Sequence, residues 1–226
     1  MKQQVLILVA VVEVAILIVW GISRKSFKGY FQEQVKSRDT TRPKPTRHDF
    51  SIECPADHFA IYIRSGFANV IGPTIGFDGK SVMSPVKNNV RHGLNIAVFD
   101  GENGSVENTF YTQNSAQLLI FLQSLRPGLI FLAASFDDVT APLTDEVRKL
   151  FVGMGSTLIN SVNHRDGWVF AGSTGTRMKS VFEKQSVNDE KTNVYDGWPV
   201  SLEVEGCLPR LTADGSSRVT ETSAGS

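Results

Sequence analysis

Only two cysteines stand among the 226 residues, so the chain allows at most one internal disulfide. The four histidines, His48, His58, His92 and His164, show no metal-ligand spacing such as His-x-x-x-His. Basic and acidic side chains balance at 23 against 23. Without a basic excess or a groove-reading motif, bulk binding to nucleic acid is not indicated. No repeat is visible, and the part that reads as globular is long enough for one domain but short for two. Gly172-Ser173-Thr174-Gly175 fails the Gly-x-Ser-x-Gly order of a nucleophile elbow and lacks the lysine of a phosphate loop. It reads as a loop of small turn-forming residues. Two acidic pairs remain. Asp145-Glu146 is explained by a helix start, and Asp137-Asp138 directly follows a buried strand, a common place for functional side chains. No poised constellation emerges, so neither an enzyme nor a cofactor is expected.

What is present begins with the placement of the two cysteines. Cys54 and Cys207 bracket nearly everything that reads as globular. An even pair of thiols downstream of an apolar N-terminal segment suggests an oxidising compartment and one bridge, with free buried thiols as the alternative. That segment, Val5 to Ile22, holds one charge, Glu13, and is followed by Arg24, Lys25 and Lys28. It sits at the lower length limit for a bilayer span. Gly21 and Ser23 offer small residues for cleavage after Ser23. Residues 1–23 are therefore a signal peptide or a signal anchor; Glu13 and the basic flank favour cleavage. Residues 24–50 are polar and basic and read as a stalk, and residues 211–226, rich in Ser, Thr and Gly, as a disordered tail.

Between them the pattern predicts strands at His58–Arg64, Leu94–Phe99, Ser105–Thr112, Leu129–Ala134, Trp168–Phe170 and Val200–Val204. Asp78-Gly79 and Asn103-Gly104 mark hairpin turns. Ser115–Leu125 carries a helical stripe ending before Pro127-Gly128, and Thr144-Asp145-Glu146 starts a second helix that stops near Gly153 or Gly155. The run Leu129–Ala134 is apolar throughout, as for a strand buried on both faces. These elements predict an α+β fold, a single compact domain of mostly antiparallel β-sheets flanked by short helices, over residues 51–210.

Seven segments in order resemble the secreted cytokine-like family with sequence similarity three, whose module is the interleukin-like EMT inducer or pancreatic-derived factor domain. They are Cys54-Pro55, Met83 to Val90, Gly93 to Ala97, Ser135 to Asp138, Arg165 to Phe170, Tyr195 to Pro199 and Glu205 to Pro209. The stem domain of the protein O-mannose N-acetylglucosaminyltransferase is similar as well. The resemblance implies a Cys54–Cys207 bridge. A second family bridge is missing, because its two positions carry His48 and Gly76 here. A subunit-linking thiol of some members is replaced by Ala171, which implies no covalent dimer through the domain; non-covalent self-association is left open. The stretch Phe110 to Ala116 is shorter than in relatives.

In the stem domain an acid and two basic residues hold sugar hydroxyls, and they map onto Asp137, Arg165 and His92. A carboxylate flanked by a guanidinium fork suits a polyol, and Trp168 is expected to add a hydrophobic face. A structural Asp137–Arg165 ion pair is the competing reading. Asn103-Gly104-Ser105 is the one permitted glycosylation sequon, and the same dipeptide is also explained as a turn. The resemblance thus implies a secreted, non-catalytic cytokine-like protein, binding a cell-surface receptor or glycan. The alternative is a Golgi or plasma-membrane lumenal glycan-binding module, anchored by its uncleaved leader.

Overall fold

Among the described residues, nine strands and two short helices build three layers. The computed structural model describes residues 50–175 and 178–212. The leader, the stalk up to Asp49 and the tail beyond Thr212 lie outside the described residues, as does His48. In chain order the elements are β1 His58–Arg64, β2 Thr74–Phe77, β3 Lys80–Met83, β4 Gly93–Asp100, β5 Val106–Thr112, α1 Ser115–Gln123, β6 Leu129–Phe136, α2 Asp145–Gly153, a 3-10 turn Ile159–Ser161, β7 Gly167–Ser173, β8 Phe182–Ser186 and β9 Glu203–Pro209. One sheet runs β3-β2-β1-β9 and the other β5-β4-β6-β7-β8. All the ladders are antiparallel.

Side-chain alternation sorts the core into two clusters. Inward residues of the smaller sheet, such as Phe59, Ile61, Ile63, Ile75 and Phe77, meet Ala97, Phe99, Ile130, Leu132 and Val169 from the larger one. The opposite face of the larger sheet, including Ile96, Phe131, Trp168 and Phe170, is covered by α1 and α2 through Leu118, Leu122, Val147 and Phe151. Central strand β6 is therefore buried at all eight positions. Its apolar run reflects two covered faces.

Local signals hold where they are chemical. Asp78 and Gly79 both take positive φ, 49° and 76°, between β2 and β3, the geometry of a two-residue primed turn. Thr144 caps α2 by accepting from the Val147 N–H. Asn114 does the same for α1, accepting from Gln117.

Three expectations need correction. The last strand is Glu203–Pro209 rather than Val200–Val204, because β9 pairs along all of β1, His58 opposite Pro209 through to Arg64 opposite Glu203. Strand β8, Phe-Glu-Lys-Gln-Ser, was not anticipated: it is a half-buried outer strand with no run of apolar residues. Leu211, assigned to the tail, is buried, and its N–H donates to the Gly101 carbonyl, so the packed domain extends past residue 210. The Cys54–Cys207 disulfide is formed, with Cα atoms 5.6 Å apart, and it staples the chain entering β1 to strand β9 beside it. At Gly76 the ring of Phe50 lies where a Cβ would stand, so an aromatic side chain fills the position that the resemblance gives to a missing bridge.

Candidate ligand-binding site

The candidate residues meet at the end of β6. There the chain leaves the sheet abruptly: Asp137 has φ 61°, and Arg165, in the turn before β7, has φ 60°. For an L residue this left-handed conformation costs about 1–2 kcal/mol. Two such residues facing one another are the kind of backbone strain that concentrates at functional positions.

The Asp137 carboxylate collects three neighbours. Its Oδ1 accepts from the Trp198 indole N–H at 3.0 Å. Oδ2 lies 3.4 Å from His92 Nδ1, and Oδ1 lies 4.0 Å from Arg165 Nε. The last distance is at the limit of an ion pair and too long for a hydrogen bond. His92 is held by stacking on Phe136, centroids 4.3 Å apart. The Arg165 guanidinium carbon lies over the Trp198 ring, 4.2 Å from its centroid, a cation–π contact. Trp198 is positioned by a tight turn in which Tyr195 and Trp198 exchange backbone hydrogen bonds around Gly197, φ 80°. Arg165 packs against that glycine, where a Cβ would meet its Nη1 at 2.9 Å.

Electrostatically the site is incomplete. Among the described residues Arg165 donates no side-chain hydrogen bond, and its Nε is shielded from solvent with no acceptor. The side chains of Asp137, Arg165 and His92 nonetheless remain 25%, 37% and 49% exposed. A carboxylate with accessible lone pairs beside a guanidinium with unused donors matches a vicinal diol, one hydroxyl donating and its neighbour accepting. Asp137, Arg165 and Trp198 line a shallow recess together with Gly66, Ser135 and Pro199, and His92 stands outside that lining.

The structure thus brings His92, Asp137 and Arg165 together and leaves Trp168 out. Trp168 is fully buried in the helix-covered cluster, stacked on Phe170 and edge-on to Phe151, with its indole N–H on Glu183. It cannot offer a face to a ligand. Trp198 supplies the aromatic ring instead. The Tyr195-Asp196-Gly197-Trp198-Pro199 motif marked this residue in the sequence, without a role attached.

Neighbouring polar groups are occupied elsewhere. Burial alone would raise the Asp138 carboxyl, but hydrogen bonds from the Thr140 N–H and hydroxyl and from His164 outweigh it and hold the group below its ordinary value. Asp137 and Asp138 therefore serve different partners and form no paired-carboxylate centre. Asp166 is buried and accepts from Asn163, Gln185 and Asn188, fixing the turn that carries Arg165. Among the described residues no group of three or more His, Cys, Asp or Glu is placed to hold a metal ion. None of the described helices is long and apolar enough to cross a membrane. Asn103 is exposed on its turn, with Oδ1 accepting from the Ser105 N–H.

Comparison with known proteins identifies the module. The family model "Interleukin-like EMT inducer" matches residues 92–176. Protein FAM3C of Rattus norvegicus is 41% identical over 175 residues, 76% of this chain and 77% of the relative. Protein FAM3D of Homo sapiens is 46% identical over 160 residues, 69% and 71% of the two chains. The chain belongs to the FAM3, interleukin-like EMT inducer, family. It is accordingly a cytokine-like protein, and the resemblance read from its seven motifs is borne out. The family-model match begins at His92, includes Asp137 and Arg165 and ends before Trp198.

Proposed function

We propose that this FAM3 protein is a secreted, non-catalytic recognition protein. It acts by presenting its rigid domain to a cell-surface receptor or glycan, and holds a sugar hydroxyl pair between Asp137 and Arg165 over Trp198. The observation that carries the sugar reading is the unfilled guanidinium beside a half-open carboxylate. A purely structural pair would bring the two into direct hydrogen-bonding contact. Secretion is supported by family membership, by the disulfide and by the apolar leader.

A glycan array probed with the purified, disulfide-intact protein tests the sugar site. Retention of a defined glycan class that is lost in Asp137→Ala and Arg165→Gln, both still folded by thermal melt, is the expected result. Equal retention by the variants, or no retention by the wild type, removes the reading. Mass spectrometry of the medium should find a new N-terminus after Ser23; cell-retained protein with an intact leader would instead favour the membrane-anchored module. Asn103 is proposed as a glycan acceptor, and loss of a peptide-N-glycosidase mobility shift in Asn103→Gln is the expected sign.

A further inference from the structure

The segment Met83 to Val90, prominent in the sequence, plays no part in the site above. It forms a turn beside the outer face of the smaller sheet. Asn89 fixes it, its Oδ1 accepting from the Ser84 N–H and its Nδ2 donating to the Val82 carbonyl, while the Ser84 hydroxyl accepts from the Lys87 N–H. Between this turn and β1–β2 lies an open cavity of about 440 Å³. That is within the size range of small-molecule sites.

Its lining combines two kinds of surface. Arg64, Lys87 and the hydroxyls of Thr74 and Ser84 border it, and Ile71 and Pro85 give it apolar walls; no carboxylate is among the lining residues. Arg64 is under-used. Its Nη2 donates to Thr74 Oγ1 at 3.2 Å and the guanidinium lies 5.0 Å over Phe67, but its Nε is enclosed and makes no hydrogen bond. Glu203, opposite Arg64 in the β1–β9 register, accepts instead from the Tyr62 hydroxyl at 3.0 Å. Among the described residues neither Arg64 nor Lys87 has an acid within ion-pair distance. A cation with no acid partner at an apolar-walled cavity favours a ligand that brings its own oxyanion and an apolar body.

We infer that this cavity is a second ligand site, distinct from the Asp137 recess, for a small amphiphilic organic anion: its carboxylate or sulfate group on Arg64 and Lys87, its hydrocarbon part against Ile71 and Pro85. Binding involves no covalent step. The arrangement accounts for both the absence of an acid beside Arg64 and Lys87 and the apolar walls, which an inorganic ion would leave uncovered.

The test is titration of the purified, disulfide-intact protein with phenyl sulfate, benzoate, inorganic sulfate and benzyl alcohol, followed by amide shifts in ¹H–¹⁵N NMR. At least one of the first two should bind saturably, moving the Ile71, Thr74 and Lys87 amides; which one does identifies the acid group preferred. Inorganic sulfate and benzyl alcohol should each bind at least about tenfold more weakly. Lys87→Gln, at an exposed position where folding is safe, and Arg64→Gln should each weaken the organic anion by about tenfold. Absence of saturation with both organic anions, equal binding by either control, or unchanged affinity in either variant overturns the assignment.

Discussion

Asp137 occupies a left-handed backbone position, and its carboxylate is tied to Trp198 and approached by His92 and Arg165. The two constraints separate by substitution. Asp137→Ala and Asp137→Gly remove the same side-chain contacts, but alanine keeps the backbone penalty and glycine relieves it, so the glycine variant should be the more stable by about 1 kcal/mol in chemical denaturation. A partly exposed carboxylate contributes little beyond this, about 1 kcal/mol or less. Glu183 contrasts with it. Its carboxylate accepts from Trp168 Nε1, from the Ser156 and Thr157 hydroxyls and from the Thr157 and Leu158 N–H groups, joining β8 to the turn after α2. Glu183→Ala strands the buried indole N–H among others, and should cost about 3 kcal/mol in the same assay with no direct effect on either ligand site.

Among the elements, the β4–β5 hairpin is held by Asp100. Hydrogen bonding from the Asn103 N–H first, then from Arg126, holds this carboxyl below its ordinary value. A depressed folded-state value means that the stabilisation is full above the unfolded value, near pH 4, and fades as pH falls through the folded one. Asp138 has the same sign. Thermal melts from pH 6 downwards should therefore show stability falling below about pH 4, and Asp100→Asn should be less stable at neutrality yet lose less on acidification. At α2 the Thr144 hydroxyl is the cap, and Thr144→Ala should cost about 1 kcal/mol, read from the urea midpoint.

For the whole molecule, the one disulfide closes a separation of 153 residues. Replacing both cysteines by alanine should lower stability by about 2–5 kcal/mol, and reduction should add the mass of two hydrogen atoms to the native protein. Both cysteines are consumed within the chain, and Ala171, where some relatives carry a linking thiol, is buried at 1% exposure between the sheets. A non-reducing gel should accordingly show monomer.

What the sequence by itself determined was local. Period-two and apolar runs located β1, β4 and β6, Asp-Gly and a threonine cap marked a turn and a helix start, and motif order identified the family. These signals arise within a few residues and survive in any tertiary setting. Strand β9 was misplaced because its partner lies far along the chain, β1 being about 140–150 residues away, and β8 was hidden because it is polar, held by its ladder to β7 and by the hydrogen bonds of Glu183 and Gln185. The site was half legible for the same reason. Alternation puts Trp168 and Phe170 on one face of β7, but with both faces of that sheet covered, alternation cannot say whether a tryptophan there meets ligand or core. Packing against α2 buries Trp168. Folding of the Tyr195–Pro199 turn onto Arg165 brings Trp198 to Asp137, a meeting of residues 61 apart that only the tertiary structure decides.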